Sequence, residues 1–270
     1  MNLWRYLICF IPFLPSLAYA EITHYVRYQH LGKVSYGKLV EDKIYPLQGD
    51  LFSSTAISSH TINLSAVTLL VPTKPEKVFA VGMNYASHLA SPANQPPPIF
   101  SKLPSSLTLS GAPINVPQGA TNVHFEGELV IVIGKTVKNA SEQEAKQAIF
   151  GVTVGNDITE RNWQSRDLQW IRAKGSDRFG PIGSSIAVGV DYNNVELTTR
   201  LNGQVVQQEN TRNMIHSPIK VISYLSKHFT LKPGDLIYIG TPGQTKAMKD
   251  GDVVEVSIEG VGSVENVVRF

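Results

Sequence analysis

The chain has 270 residues, a formal net charge of +2 and a single cysteine, and 42% of its residues are hydrophobic and 17% charged. This length can form one large core or a core domain with a small appendage. The composition is that of an ordinary globular protein and not of a disordered one. The nearly balanced charge excludes strong electrostatic binding to nucleic acid or to a membrane surface.

The first twenty residues have the pattern of a secretory signal. A positive start, MNLWR, precedes the apolar run YLICFIPFLPSL and the A-x-A pattern Ala18-Tyr19-Ala20. The apolar run is too short to span a membrane; an uncleaved anchor or a frayed N-terminus is the alternative. We expect cleavage after Ala20 and a secreted or periplasmic protein. Cleavage would also remove Cys9, the only cysteine, and would restrict ligands to oxygen and nitrogen atoms.

The remaining chain divides near residue 75. Residues 23–47 form short alternating runs broken at Gly32 and at Glu41-Asp42, which is typical of a small antiparallel sheet. We therefore predict a small N-terminal β domain over 21–74 and a larger domain over 75–270. In the larger domain, the run KVFAVG after Glu76 predicts a buried strand.

Two helix starts can be identified from their capping residues. Ser141 with Glu144 forms a capping box, which predicts a helix through Phe150. Ser217-Pro218 combines an N-cap with proline at the first helical position, which predicts a helix through about Phe229.

Strands dominate the rest of the pattern. Two similar turns, KPGDL at 232–236 and KDGDV at 249–253, each precede a β-rich run, and we interpret them as hairpin turns of one sheet. Because helices are few, the sequence favours a β-rich α+β fold.

Three acidic residues indicate a metal site. Glu126 and Glu128 lie two residues apart at the start of one apolar run, and Asp157 lies at the end of another. In a strand, residues i and i+2 point to the same face, so the two carboxylates would lie close together and repel unless a cation neutralises them. Three carboxylates form an all-oxygen ligand set, which suits Mg²⁺, Mn²⁺ or Ca²⁺ better than Zn²⁺. The alternative interpretation is a strand with one solvated face.

Seven motifs in order resemble those of a known family. They are KVFAVGMNYASH (77–88), PIFSK (98–102), FEGELVIVIGK (125–135), GVTVGNDITERNWQ (151–164), AKGSDRFGPIG (173–183), TRLNGQVV (199–206) and LKPGDLIYIGTP (231–242). Together they resemble the fumarylacetoacetate hydrolase family over residues 75–270. Residues 22–74 look like the small N-terminal domain that many bacterial members carry.

This resemblance implies a mixed β-sandwich roll, usually a homodimer, that binds Mg²⁺ or Mn²⁺ through Glu126, Glu128 and Asp157. Members of the family act on small 2-oxo acids that carry a second carbonyl or carboxyl group. They hydrolyse a C–C bond, decarboxylate the substrate, or move a proton or double bond. All of these reactions need a stabilised enolate, which a divalent metal can provide as a Lewis acid.

The resemblance also implies roles for individual side chains. Lys174 matches the family's active-site lysine, which would place a positive charge near the enolate, and His88 matches its lid histidine, the candidate base. Four further residues match positions that line or support the pocket: Tyr85, Arg161, Gln164 and Thr241. Arg161 could instead support Asp157. We expect Asp177 to act in a turn, and His124 remains a possible supporting group for the ligands.

One departure from the family pattern bears on the reaction. Hydrolytic members usually carry a glutamate within a turn after the lid histidine, whereas this chain has Ser91 there and no acidic residue between His88 and Glu126. A serine cannot hold a protonated imidazole as a carboxylate does. The leading hypothesis is an exported, metal-dependent hydrolase of C–C bonds in acylpyruvate-like diketo acids. The alternatives are a decarboxylase or isomerase of a 2-oxo diacid, or a catalytically idle module that binds a dicarboxylate through the metal.

Overall fold

The computed structural model of the chain describes residues 21–88 and 94–270. The predicted export signal with Cys9, and Ser91 in the proline-rich segment, lie outside the described residues.

The described residues are mainly strands. The strands are β1 Thr23–His30, β2 Lys33–Val40, β3 Lys43–Pro46, β4 Ile62–Asn63, β5 Thr68–Leu70, β6 Val78–Val81, β7 Ile99–Lys102, β8 Leu107–Thr108, β9 Ile114–Asn115, β10 Val123–His124, β11 Gly127–Ile133, β12 Ile149–Asn156, β13 Thr159–Glu160, β14 Gly180–Pro181, β15 Ser185–Val188, β16 Glu196–Leu201, β17 Gln204–Asn210, β18 Leu236–Tyr238, β19 Val253–Ile258 and β20 Gly262–Arg269. The helices are α1 Glu142–Ala148, α2 Arg161–Arg166, α3 Ile171–Gly175 and α4 Pro218–His228. None of these helices has the length and apolar character needed to cross a membrane.

Two sheets form most of the structure. The larger sheet runs β4-β3-β2-β1-β15-β12-β11-β18-β6-β7, with β5 paired to β1, and the smaller sheet runs β17-β16-β19-β20-β9. The β-rich α+β class predicted from the sequence is confirmed. The N-terminal strands form the expected antiparallel ladders, but β1 also pairs with β15, so they extend the larger sheet instead of forming a sheet of their own.

Strand β11 lies at the centre of the core. Its residues are buried on both faces, which explains why the sequence there is almost continuously apolar. Leu129 and Ile131 pack in a core cluster with residues of the smaller sheet and of α4, whereas Val130 and Val132 pack in a second cluster with β18. Glu128 therefore shares its strand face with Val130, away from the smaller sheet.

The two predicted helix starts are confirmed. Ser141 and Glu144 form the reciprocal capping box of α1, and Ser217 caps α4. The interpretation of the two similar turns as hairpins of one sheet is wrong. The first turn leads into β18 of the larger sheet and the second into β19 of the smaller one, because a turn sequence specifies a local chain reversal but not the partner strand.

The two sheets lie in close contact at Gly127. A Cβ atom there would lie 2.2 Å from Thr199 Oγ1 of β16 and 3.0 Å from a Val256 methyl group of β19. Only a glycine allows this contact, and Gly127 lies between the two glutamates of the candidate site.

We expect Gly127→Ala to destabilise the fold by about 1–3 kcal/mol because the added methyl group overpacks the contact between the sheets. Denaturant unfolding curves measure this change. Gly49→Ala is the control, since its Cβ would meet only Ser54, at 4.0 Å, and it should be neutral or slightly stabilising. Equal stability of both variants would contradict the prediction.

Candidate active site

Three carboxylates converge where β11 begins and β12 ends. Glu126 directly precedes β11, Glu128 is the second residue of that strand, and Asp157 directly follows β12. The antiparallel pairing of the two strands brings these positions together, and the Asp157 amide donates a 2.8 Å hydrogen bond to the Glu126 carbonyl. All three side chains are buried, and one carboxylate oxygen from each lies within 4.8 Å of the other two.

Three cations surround this carboxylate cluster. Lys174 of α3 places Nζ 2.6 Å from Glu126 Oε2 and 2.5 Å from Asp157 Oδ2. Arg161 of α2 places Nη2 2.6 Å from Glu126 Oε1. Lys102 of β7 places Nζ 2.6 Å from Asp157 Oδ1 and also donates a short hydrogen bond to the main-chain carbonyl of Lys174. Arg161 therefore pairs with Glu126 and not with Asp157, which the sequence analysis had considered as its partner.

The three cations leave Glu126 and Glu128 in opposite electrostatic situations. Burial alone would raise the pKa of Glu126, but the Lys174 ammonium and the Arg161 guanidinium hold it well below its usual range. Burial, together with repulsion from Asp157 and Glu126, raises the pKa of Glu128 well above its usual range. Burial would lower the pKa of Lys174, but Asp157 and Glu126 outweigh it and raise that pKa.

Glu128 is the carboxylate that lacks a countercharge. Among the described residues, no lysine or arginine forms an ion pair with it, and its Oε2 accepts one hydrogen bond, of 2.7 Å, from the Gly240 amide. Gly240 has φ +95°, and a Cβ there would lie 2.7 Å from Asn84 Cβ. Only a glycine at this position can therefore direct its amide towards Glu128. A divalent cation held by the three carboxylates would neutralise Glu128, and an all-oxygen donor set fits a hard cation such as Mg²⁺ or Mn²⁺.

A cavity of about 350 Å³ opens onto the cluster. Its wall contains seven residues predicted from the sequence: His88, Glu126, Glu128, Arg161, Gln164, Lys174 and Thr241. It also contains residues that the sequence reasoning had not singled out: Val81, Gly82, Met83, Phe100, Ser165 and Trp170. The ionic groups therefore share the cavity with a mainly apolar wall, as is usual for small-molecule sites.

His88 lies in a turn after β6 with one nitrogen directed towards the cluster. Its Nδ1 lies 2.5 Å from the carbonyl oxygen of Gly243, and its Nε2 lies 3.9 Å from Glu126 Oε1. Because a carbonyl oxygen can only accept, Nδ1 must carry the proton. In the neutral ring, Nε2 is then the free acceptor, as a general base requires.

The other predicted pocket residues support one another. Arg161 donates from Nη1 to Gln164 Oε1 at 2.8 Å, since positions i and i+3 share a face of α2. Thr241 is buried, donates to the Gly127 carbonyl at 2.8 Å and accepts from Gln207 Nε2 at 2.9 Å. Thr241 thus fixes the backbone between the two glutamates.

Three further sequence candidates are not part of the cavity wall. Tyr85 is buried and outside the cavity wall, and its hydroxyl group has no hydrogen-bond partner in the described structure. His124 reaches Thr245 Oγ1, which also accepts from Arg161, and burial lowers the pKa of His124 to about 4. Asp177 is exposed in the turn after α3, as expected for a turn residue.

The sequence reasoning missed Lys102. Its side chain is fully buried, and burial lowers its pKa against the opposing effect of Asp157. The only sequence signal was a lysine that ends the motif PIFSK and is followed by no acidic partner nearby. Its contacts lie 55 and 72 residues further along the chain, a distance at which local patterns carry no information.

Comparison with known proteins identifies the family. The fumarylacetoacetate (FAA) hydrolase C-terminal domain matches residues 77–269, and an Rv2993c-like N-terminal domain matches residues 23–72. The chain belongs to the fumarylacetoacetate hydrolase family. Protein Rv2993c of Mycobacterium tuberculosis is 40% identical over 223 residues, which cover 80% of this chain and 84% of that protein.

Relatives within the family carry different reaction names. A human mitochondrial oxaloacetate tautomerase is 36% identical over 220 residues, which cover 76% of this chain and 70% of that protein. The crystal structure of a 2-hydroxyhepta-2,4-diene-1,7-dioate isomerase from Mycobacterium marinum superposes with a TM-score of 0.85 at 36% identity, covering 92% of this chain and 98% of the other. The chain is therefore a member of an enzyme family that includes isomerases and tautomerases.

We expect Lys102→Met to weaken Mn²⁺ binding by about 10–100-fold because Asp157 loses the group that orients it. Calorimetric titration of the full-length protein with Mn²⁺ measures this affinity. Lys77→Met is the matched control, since Lys77 pairs with buried Asp235 at 3.1 Å, outside the site. Unchanged Mn²⁺ affinity in a folded Lys102→Met protein would contradict the prediction.

Proposed function

We propose that this protein is a divalent-metal-dependent tautomerase of a small 2-oxo dicarboxylic acid of the oxaloacetate type. The observation that carries this proposal is the charge balance of the site. Glu126, Glu128 and Asp157 contribute three negative charges, and Lys102, Arg161 and Lys174 contribute three positive ones, so the cluster sums to zero when all of these groups are ionised. A divalent cation makes the site +2, which complements a dianionic substrate.

A divalent cation, Mg²⁺ or Mn²⁺, would be held by Glu126, Glu128 and Asp157 and would supply Lewis-acid stabilisation of the enolate when bound. Lys174 adds a second, fixed positive charge in the same cavity. Its ammonium group is anchored by two carboxylates and lies 4.8 Å from the centre of the Phe100 ring. Because this charge is held in place before substrate arrives, little reorganisation is needed as the enolate forms.

His88 is our candidate for the proton transfer. The tautomerisation moves one proton from C3 of the keto acid to its 2-oxygen and makes or breaks no other bond. Nε2 of His88 is the free acceptor of a ring fixed by the Gly243 carbonyl, so it can take the C3 proton and deliver it to the 2-oxygen, with the opposite transfers in the reverse direction. A carbon flanked by two carbonyl groups loses a proton far more easily than water does, so a moderate base suffices.

Hydrolysis of a C–C bond in an acylpyruvate, the leading hypothesis from the sequence, is the second candidate. It is supported by similarity to a fumarylacetoacetate hydrolase from Exiguobacterium antarcticum, 28% identical with a TM-score of 0.82. Hydrolysis additionally needs an activated water molecule. The Nδ1 partner of His88 is a neutral carbonyl group, which stabilises an imidazolium less well than a carboxylate does. This contact favours tautomerisation over hydrolysis.

We expect the protein to accelerate keto–enol interconversion of oxaloacetate in the presence of Mg²⁺. The ultraviolet absorbance of the enol measures this rate. Chelation of the metal should return the rate to the background. Acetylpyruvate is tested in parallel, with acetate and pyruvate as products of cleavage. Faster cleavage of acetylpyruvate than interconversion of oxaloacetate would favour the hydrolase. No activity on either substrate would favour a metal-dependent dicarboxylate-binding module.

We expect Glu128→Gln to abolish the enzymatic rate and to weaken Mn²⁺ binding, since it removes the ligand charge that has no cation partner. Glu259→Gln, an exposed glutamate after β19, is the control for loss of one negative charge. Rates and Mn²⁺ affinity are measured on both proteins. Persistence of metal-dependent turnover in Glu128→Gln would refute the assignment of Glu128.

We also propose that the protein is exported and that the mature chain begins at Glu21. This proposal is supported by the apolar run and the Ala18-Tyr19-Ala20 pattern. We expect the intact mass of the full chain produced in a bacterium with a periplasm to correspond to residues 21–270, and Ala20→Lys to block processing. A mass corresponding to all 270 residues would contradict it. Light scattering of the same preparation tests the homodimer that the family resemblance implies.

A further inference from the structure

Trp170 has an unusual backbone conformation directly beside the candidate active site. It precedes α3 with φ 57° and ψ 14°, in the left-handed region. For a bulky aromatic residue this conformation costs on the order of 1–3 kcal/mol and persists only where the surroundings impose it. Such residues concentrate at ligand sites, and the cavity wall includes Trp170.

A set of contacts on either side holds Trp170 in this conformation. Arg172 binds Asp167 through two hydrogen bonds, 2.5 Å from Nε to Oδ2 and 2.8 Å from Nη2 to Oδ1. The Arg172 guanidinium also lies over the Trp163 ring at 4.6 Å. The Trp170 carbonyl accepts a 3.0 Å hydrogen bond from the Lys174 amide. One short segment therefore fixes both the tryptophan and the lysine of the ionic cluster.

The Trp170 ring belongs to the apolar wall of the cavity. It meets Phe100 nearly edge-on, with ring centres 5.5 Å apart and planes at 67°. Phe100 in turn lies beneath the Lys174 ammonium. The cavity thus has an ionic part for the 2-oxo carboxylate group and an aromatic part that includes Phe100 and Trp170. Its volume of about 350 Å³ is near the lower end of the range of small-molecule sites, about 300–1,000 Å³.

We propose that Trp170 is a specificity-determining residue whose indole ring limits the size of the substrate's distal group, the part beyond the 2-oxo carboxylate. The site would then accept short 2-oxo diacids and diketo acids with a small distal group and reject those with an aryl group. This inference rests on the proposed function, since it assigns the ionic part to the 2-oxo carboxylate.

The test compares two diketo acids of equal charge, acetylpyruvate and benzoylpyruvate, which differ only in a methyl or phenyl distal group. Their enolisation or cleavage is measured with Mg²⁺ as kcat/KM. We expect kcat/KM of the wild-type protein to be at least tenfold higher for acetylpyruvate than for benzoylpyruvate, and the ratio below is that of these two values. Trp170→Gly and Trp170→Ala should lower that ratio at least tenfold, chiefly through a lower KM for benzoylpyruvate, and Trp170→Phe should be intermediate. One methylene group in a pocket already discriminates about 10–200-fold.

Two features keep the test independent of folding. Trp170→Gly removes the ring while easing the left-handed backbone, which glycine adopts without strain. Leu168→Ala changes a neighbouring side chain that is 93% exposed and should leave the ratio unchanged. A ratio that stays at the wild-type value in the folded Trp170→Gly and Trp170→Ala proteins overturns the proposal, as does a wild-type protein that prefers benzoylpyruvate.

A binding measurement separates this inference from the proposed function. If the wild-type protein turns over neither oxaloacetate nor the diketo acids, the proposed function fails. Calorimetric affinities of the two diketo acids with Mg²⁺ then test the size limit alone. The size limit is supported if the wild-type protein binds acetylpyruvate more tightly than benzoylpyruvate and the Trp170→Gly protein binds both acids equally. Equal affinities in the wild-type protein, or no Mg²⁺-dependent binding of either acid, overturn it.

Discussion

The burial of three carboxylates in one cluster is the constraint on which the rest of the structure depends. Removing a carboxylate from water costs several kcal/mol unless countercharges and hydrogen bonds replace the solvent. Here the countercharges come from three separate elements: Lys102 of β7, Arg161 of α2 and Lys174 of α3. The cluster is neutralised only when these elements meet the start of β11 and the end of β12.

The neutralisation is uneven, and this unevenness explains the expected affinity for a metal. Glu126 and Asp157 each contact two cations, whereas Glu128 contacts a backbone amide. A buried carboxylate without a cation is pushed towards its protonated form. A divalent ion held by the three carboxylates would reverse this effect and would give the ionised cluster a net positive charge. The missing cation partner of Glu128 makes the metal-free cluster unfavourable. With a metal bound, the same charge distribution would suit the site to an anionic substrate.

The sequence predicted this site to the extent that its information is local. Spacing by two residues on an apolar run was enough to bring Glu126 and Glu128 together, and the antiparallel partner strand supplied Asp157. Lys102 could not be found in this way, since a lysine at the end of a short strand resembles a solvated residue until its distant partners are known. The turns before β18 and β19 have nearly the same sequence but lead into different sheets. Which sheet each strand joins depends on contacts between residues that are far apart in the sequence, such as those of Gly127 with β16 and β19.

Lys174 and Trp170 lie four residues apart on one segment, held by the Asp167–Arg172 pair and by the hydrogen bond between them. In the proposed function, the lysine stabilises the charge that forms at the 2-oxo group, whereas the tryptophan limits the space beyond it. The enolate chemistry depends on the carboxylates and cations and not on the distal group. A change in the aromatic wall can therefore alter which 2-oxo acid is accepted while the ionic cluster stays the same. This separation gives a physical reason why proteins of one fold, whose names include a 2-hydroxyhepta-2,4-diene-1,7-dioate isomerase, an oxaloacetate tautomerase and a fumarylacetoacetate hydrolase, can differ in substrate without a new arrangement of the core.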